Sequence, residues 1–224
     1  MIIKKEGSFK LLTFRKIIEN LNLKIPVKYY NSDDSRLKSS EYLLYLKVVS
    51  DKEQKEYETL DTEEKKNFKT TTSQIYVPRM SIYKYENVAD SNKGVSFELS
   101  YTIDHVRKLT HIENEKQKEL LAACLYMILH EAGHFEDLKA KEFNVWEYTK
   151  ENRDEKEKIF KERENIQQKI FLESDKEKQK KLAYTYFDTY NKISDEKRAN
   201  DYADKHFENL YNNLLKALKE SCLL

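Results

Sequence analysis

The chain has 224 residues, enough for about one domain with a buried core that needs no cross-link or metal merely to stay folded. Its 41 Lys and Arg stand against 40 Asp and Glu, a net charge of +1, so nothing global draws it to nucleic acid or an anionic membrane surface. With 3 Gly and 2 Pro it does not read as a sandwich, a barrel or a loop-dominated fold, and 12% aromatic residues exclude a disordered polyelectrolyte.

In chain order, the first expected element is an amphipathic helix from Ser8 to Leu23, with Phe9, Leu11, Leu12, Phe14, Ile17, Ile18 and Leu21 on its apolar stripe. Lys10 and Arg15 interrupt the early apolar residues, so Met1 to Ile18 reads as this helix and not as a signal peptide. Ile25, Val27 and Tyr29 alternate as a short strand that Pro26 confines to a sheet edge. Glu41 to Val49 reads as a helix, and the polar stretch to about Lys69 as a solvated one. After the break at 70–74, Ile75 to Tyr85 looks extended, with Pro78 interrupting.

Val95, Phe97, Leu99, Tyr101 and Ile103 alternate with polar residues, which predicts a strand from Val95 to Ile103 after a turn at Gly94. Glu115 to Phe135 predicts a helix whose middle, Leu120 to Leu129, is apolar on every side and therefore buried. A charge-laced segment from about 150 to 181 predicts one or two partly solvated helices, able to pair as a hairpin and anchored by Ile159, Phe160, Ile166, Ile170 and Phe171. Ser194 to Leu218 predicts the last helix, with Ser194 as N-cap and Asp195 and Glu196 in its first turn. The expected fold is α+β and predominantly helical, with a small, mainly antiparallel sheet of roughly three or four strands. Of the two cysteines, Cys124 lies in the apolar run and reads as a buried thiol; so few cysteines predict a reducing, cytoplasmic setting. No apolar run is long enough to span a membrane, and no helix-turn-helix is evident, so neither membrane nor nucleic acid is an expected partner.

Chemistry concentrates at His130-Glu131-Ala132-Gly133-His134. Histidines four apart on a helix project from one face, so both imidazoles can reach one tetrahedral Zn²⁺. Glu131, one step round the helix, sits where a carboxylate can accept a proton from zinc-activated water. Gly133 costs a helix about 1 kcal/mol, which suggests close approach of another element. A catalytic zinc needs a third protein ligand. A third histidine six residues beyond His134 is excluded, because position 140 is Ala. In the last helix, Glu196, Ala199, Asn200 and Ala203 share a face; the small alanines would let it press on the histidine helix, with Glu196 reaching the metal and Asn200 orienting a ligand. The plainer reading of Glu196 is a residue offsetting the helix dipole, and Glu136, Asp137 and Glu142 remain alternative ligands.

A His-Glu-x-Gly-His helix followed by a Glu-x-x-Ala-Asn-x-x-Ala helix resembles the gluzincin side of the zinc metallopeptidases. It is closest to the ImmA/IrrE-type peptidases of bacteria and their phages or mobile elements, and more distant from the membrane-embedded HtpX type. The resemblance spans about Val95 to Leu210. It implies a zincin-like fold with the C-terminal ligand helix packed behind the active-site helix, His130, His134 and Glu196 as zinc ligands, and Glu131 as general base. It also implies hydrolysis of a protein or peptide substrate laid along a strand edge, here Val95 to Ile103. Residues 1–90 are then an N-terminal helical and extended part of the same domain. Residues 91–224 form the catalytic core, with 150–181 as an insertion. Tyr202, Tyr101 and His206 are candidate donors to an oxyanion. The alternative function is an inactive zincin-like module that binds a protein through its charged helices.

Overall fold

The longest apolar run of the sequence becomes the axis around which the rest is packed. A computed structural model describes residues 12–31, 44–91, 93–112, 115–150 and 153–221. Among these, ten helices and three strands follow in the order α1 (Phe14–Leu21), β1 (Val27–Tyr30), β2 (Tyr45–Lys47), α2 (Asp51–Thr59), α3 (Thr62–Asn67), β3 (Gln74–Pro78), α4 (Ile82–Ser91), α5 (Lys93–Leu109), α6 (Lys116–Ala140), α7 (Val145–Lys150), α8 (Arg153–Leu172), α9 (Lys176–Tyr190) and α10 (Ser194–Glu220). Of the N-terminal helix predicted over Ser8 to Leu23, positions 8–11 lie outside the described residues, as does Cys222. Among the described residues the helix starts at Phe14, because Thr13 is extended and caps it by accepting the Lys16 N–H.

α6 buries both sides of its middle: Leu121, Ala122, Ala123, Cys124, Leu125, Ile128 and Leu129 are all fully enclosed. α10 lies along one flank through Ala199, Ala203, Phe207, Leu214 and Leu218, while α4, α5 and the sheet cover others. The apolar core runs without a break from Leu12 of the N-terminal part to Leu218 of the last helix.

The sheet is mixed, in the order β1-β3-β2, and not mainly antiparallel. β1 runs parallel to β3, from Val27 opposite Ile75 to Tyr30 opposite Pro78, and β2 runs antiparallel to it, with Tyr45 opposite Tyr76. The edge position expected for the strand after Pro26 is found. Tyr45 to Lys47 is a strand and not part of a helix, because β3 offers an open edge and Tyr45 stacks on Tyr76 across it, with ring centroids 5.1 Å apart. The extended run from Ile75 ends at Pro78; Ser81 then caps α4 by accepting the Lys84 N–H at 3.2 Å.

The segment predicted as the clearest strand is helical throughout, with Gly94 in the first turn of α5. Val95, Leu99, Thr102 and Val106 form its buried stripe, at the 4-3-4 spacing of a helix. The apparent alternation arises because a second face is also covered: Tyr101 packs edge-on to Tyr184 at 5.3 Å and against Phe187 at 5.2 Å. A helix buried on two sides imitates the period of a strand over a short window.

The charged segment forms a hairpin of α8 and α9, with Asp175 capping α9 through the N–H groups of Glu177 and Lys178. Ile159 and Ile166 anchor it, whereas Phe160 is exposed and Phe171 and Leu172, at the hairpin's end, are 87% and 81% exposed. Ser194 is the first residue of α10 and not its N-cap; Ile193 holds that position. No helix among the described residues is long and apolar enough to cross a membrane.

Candidate metal centre

The contact between α6 and α10 that builds the site is set by Gly133. A Cβ on this residue would lie 2.7 Å from the Ala199 Cα and 2.8 Å from the Ala199 carbonyl oxygen, so only glycine allows the two backbones to meet here. The close approach expected from the sequence is therefore made by α10, the helix that carries Glu196. Asp137, one turn past His134, ties the helices again by accepting from Arg198 Nε at 2.9 Å and from its terminal nitrogen at 3.0 Å.

This approach brings His130, His134 and Glu196 together. The two Nε2 atoms are 3.1 Å apart, and Glu196 Oε2 lies 3.2 Å from the first and 3.3 Å from the second. Tetrahedral ligands held 2.0–2.1 Å from one zinc ion stand about 3.3 Å from one another, the spacing seen here. Glu196 is buried, and its Oε2 has no hydrogen-bond partner. A buried carboxylate oxygen without a donor is costly, and one facing two imidazole nitrogens is an arrangement a cation relieves. The residues present thus fit a divalent metal ion, with two nitrogen donors and one oxygen donor.

Each of the three side chains is held from behind. Asn200 Oδ1 lies 2.9 Å from His130 Nδ1; as an acceptor it holds a proton on Nδ1 and turns Nε2 toward the cluster. Tyr126 extends this support, its hydroxyl 3.3 Å from Asn200 Oδ1 and 2.8 Å from Asp204 Oδ1. The Tyr148 hydroxyl lies 3.3 Å from His134 Nδ1. The Tyr190 hydroxyl donates to Glu196 Oε1 at 2.5 Å. Sequence reasoning found Asn200 by helix spacing and missed Tyr126, Tyr148 and Tyr190, because nothing local separates them from the other tyrosines.

The electrostatics of the cluster favour positive charge. Desolvation opposes ionisation of Glu196, but the neighbouring imidazoles of His130 and His134 outweigh it and hold the carboxyl far below its ordinary value. Desolvation likewise opposes protonation of His130, yet Glu196, Glu131 and Asn200 together raise it to about 9. Glu131 stands beside the cluster and not in it: its Oε2 accepts the Leu46 N–H of β2 at 2.6 Å. Desolvation pushes its carboxyl upward against the pull of the two histidines, the direction that suits a group that must take up a proton.

The alternative ligands are engaged elsewhere, Glu136 with Lys139, Asp137 with Arg198 and Lys141, and Glu142 with Lys69. Tyr202 and His206 pack their rings against each other, 4.5 Å apart, and do not line the cleft. Tyr101 does line it, with its hydroxyl on Asp188 at 2.7 Å. The cleft has a volume of about 660 Å³ and runs from Leu44 and Leu46 past the three-residue cluster to Tyr190. The strand that borders it is β2, since Val95 to Ile103 is helical. Comparison with protein-family models, with curated proteins and with solved structures finds no match, so the reading of this centre rests on its own geometry.

Proposed function

We propose that this chain is a zinc-dependent metalloendopeptidase, with His130, His134 and Glu196 holding the ion and Glu131 as general base. The observation that carries the reading is the buried Glu196 Oε2, without a hydrogen-bond partner and within 3.3 Å of two imidazole nitrogens. When bound there, zinc supplies Lewis acidity, acidifying water and polarising a carbonyl oxygen. Glu131 takes the proton of the attacking water on its carboxylate and returns it to the leaving amine. Its half-buried place against β2 keeps that carboxylate partly desolvated, and the Leu46 N–H fixes one of its oxygens. An extended substrate is proposed to lie in the cleft beside β2, whose Tyr45 and Leu46 line it. In keeping with the ImmA/IrrE-type resemblance, the proposed substrate is a cytoplasmic protein, and the setting a regulatory protease of a phage or mobile element.

The deciding experiment combines elemental analysis with proteomic comparison of cleavage products. The intact chain is expected to carry one zinc ion and to generate cleavage products. Glu131→Gln, which keeps an acceptor for Leu46, is expected to retain zinc and to lose at least a hundred-fold in rate. Undiminished cleavage by that variant refutes the mechanism.

A second reading, an inactive zincin-like scaffold that binds a protein through its charged hairpin, draws on the exposed Phe171 and Leu172 at the hairpin's end. A purified chain without stoichiometric zinc favours it.

A further inference from the structure

The α8–α9 hairpin looks at first like a solvated appendage, yet its side chains converge on the first turn of α10, the turn that carries Glu196. Ile193, at the N-cap, has no side-chain acceptor to offer. Glu155 of α8 supplies one in its place, taking the Ser194 N–H at 3.0 Å and the Ser194 hydroxyl at 2.8 Å. Lys156 pairs with the buried Asp195, whose other oxygen accepts the Glu196 N–H at 3.1 Å.

The third connection reaches the ligand itself. Tyr190, the last residue of α9, donates to Glu196 Oε1, the oxygen opposite the one that faces the imidazoles. Its ring lies 4.2 Å from the guanidinium of Arg163, and the ring of Tyr186, one turn earlier, lies 4.0 Å from the same group. Arg163 is buried within an otherwise highly charged, solvated helix, which such a cation tolerates when flat aromatic faces enclose it.

We propose that Tyr190 is a positioning residue for the metal centre: its hydroxyl fixes the rotation of the Glu196 carboxylate, and Arg163, clamped between Tyr186 and Tyr190, makes the hairpin the mount of the third ligand. This inference rests on reading His130, His134 and Glu196 as metal ligands. The terminal torsion of a glutamate is broad, so the side chain alone does not fix the plane of its carboxylate relative to the imidazoles. Holding one oxygen by the Tyr190 hydroxyl fixes that plane and leaves the other oxygen to face the two Nε2 atoms. Asn200 and Tyr148 orient the imidazoles but touch neither oxygen of Glu196.

The test uses the full chain, stripped of metal by a chelator. Zinc affinity is measured by competition with a chromophoric chelator, and the visible spectrum is recorded with cobalt(II) in place of zinc. Tyr190→Phe keeps the ring on Arg163 and removes only the hydroxyl. It is expected to lose about ten- to a hundred-fold in zinc affinity and to shift the cobalt bands, while the metal-free chain stays folded with a somewhat lower melting temperature, because a buried carboxylate oxygen loses its donor. Arg163→Met keeps the hydroxyl and loosens its mount, so a smaller loss with a similar spectral shift is expected. The exposed Lys158→Ala serves as control and binds as the wild type does. Wild-type affinity and an unaltered cobalt spectrum in Tyr190→Phe overturn the proposal while leaving the metal centre standing. A wild-type chain that takes up neither ion overturns the metal reading and this proposal with it.

Discussion

At position 133 two opposite demands meet. A helix interior favours Ala over Gly by about 1 kcal/mol, so Gly133→Ala taken alone should stabilise α6. The space argues the other way, because the new Cβ would meet the backbone of Ala199 at 2.7 Å, and a backbone cannot swing aside as a flexible side chain can. Overpacking of this kind costs about 1–3 kcal/mol, which outweighs the propensity gain. Gly133→Ala is therefore expected to lower the melting temperature and, by parting α6 from α10, to weaken zinc binding. A variant as stable as the wild type would show that the helices separate freely. His130, Glu131 and His134 are legible in the sequence because a helix alone puts them side by side. Glu196 is legible as the preferred third carboxylate, from the alanines that flank it on its helix face, with Glu136, Asp137 and Glu142 as fallbacks. Tyr148 and Tyr190 are not legible at all, since their positions depend on α7 and α9 folding back.

Elements show where local pattern misleads. A period-2 run such as Val95 to Ile103 reports which residues are buried, and α5 buries two faces against different neighbours. The strand Tyr45 to Lys47 exists because β3 pairs with it, a partner that local pattern around residue 45 does not reveal. The polar stretch after it is broken into α2 and α3, each with its own cap at Ser50 and Asp61. Glu53 of α2 joins this part to the loop before β3: Thr70 and Thr72 donate their hydroxyls, and Thr71 both its N–H and hydroxyl, to the one carboxylate. Desolvation opposes ionisation of Glu53, but these donors outweigh it and lower the carboxyl from 4.5 to about 2. A depressed carboxyl stabilises the fold fully above its unfolded value and loses that contribution as pH falls. Folding stability should thus decline between pH 4.5 and about 2. Glu53→Gln should remove about 1 kcal/mol at neutral pH, allowing for solvent screening, and flatten that acid limb in chemical denaturation. An unchanged acid limb in the variant would assign the decline to other carboxyls.

For the molecule as a whole, a metal that ties α6 to α10 binds the folded chain and not the unfolded one. Free zinc at a hundred times its dissociation constant then adds about 2.7 kcal/mol, which for a chain of this size raises the melting temperature by roughly 5–10 °C. A chelator should reverse the shift and Glu196→Ala abolish it; an equal shift in that variant would place the ion elsewhere. The sequence by itself determined the helical class, the buried central helix, and the two imidazoles and carboxylate of the His-Glu-x-x-His turn, because these depend on composition and on contacts within four residues. Only the tertiary structure decided that Glu196 completes the cluster, that β2 and not residues 95–103 borders the cleft, and that the charged hairpin braces the last helix. Those outcomes join residues 60 or more positions apart or set one element against another, and such pairings are selected by packing of the whole chain and leave no local period to read.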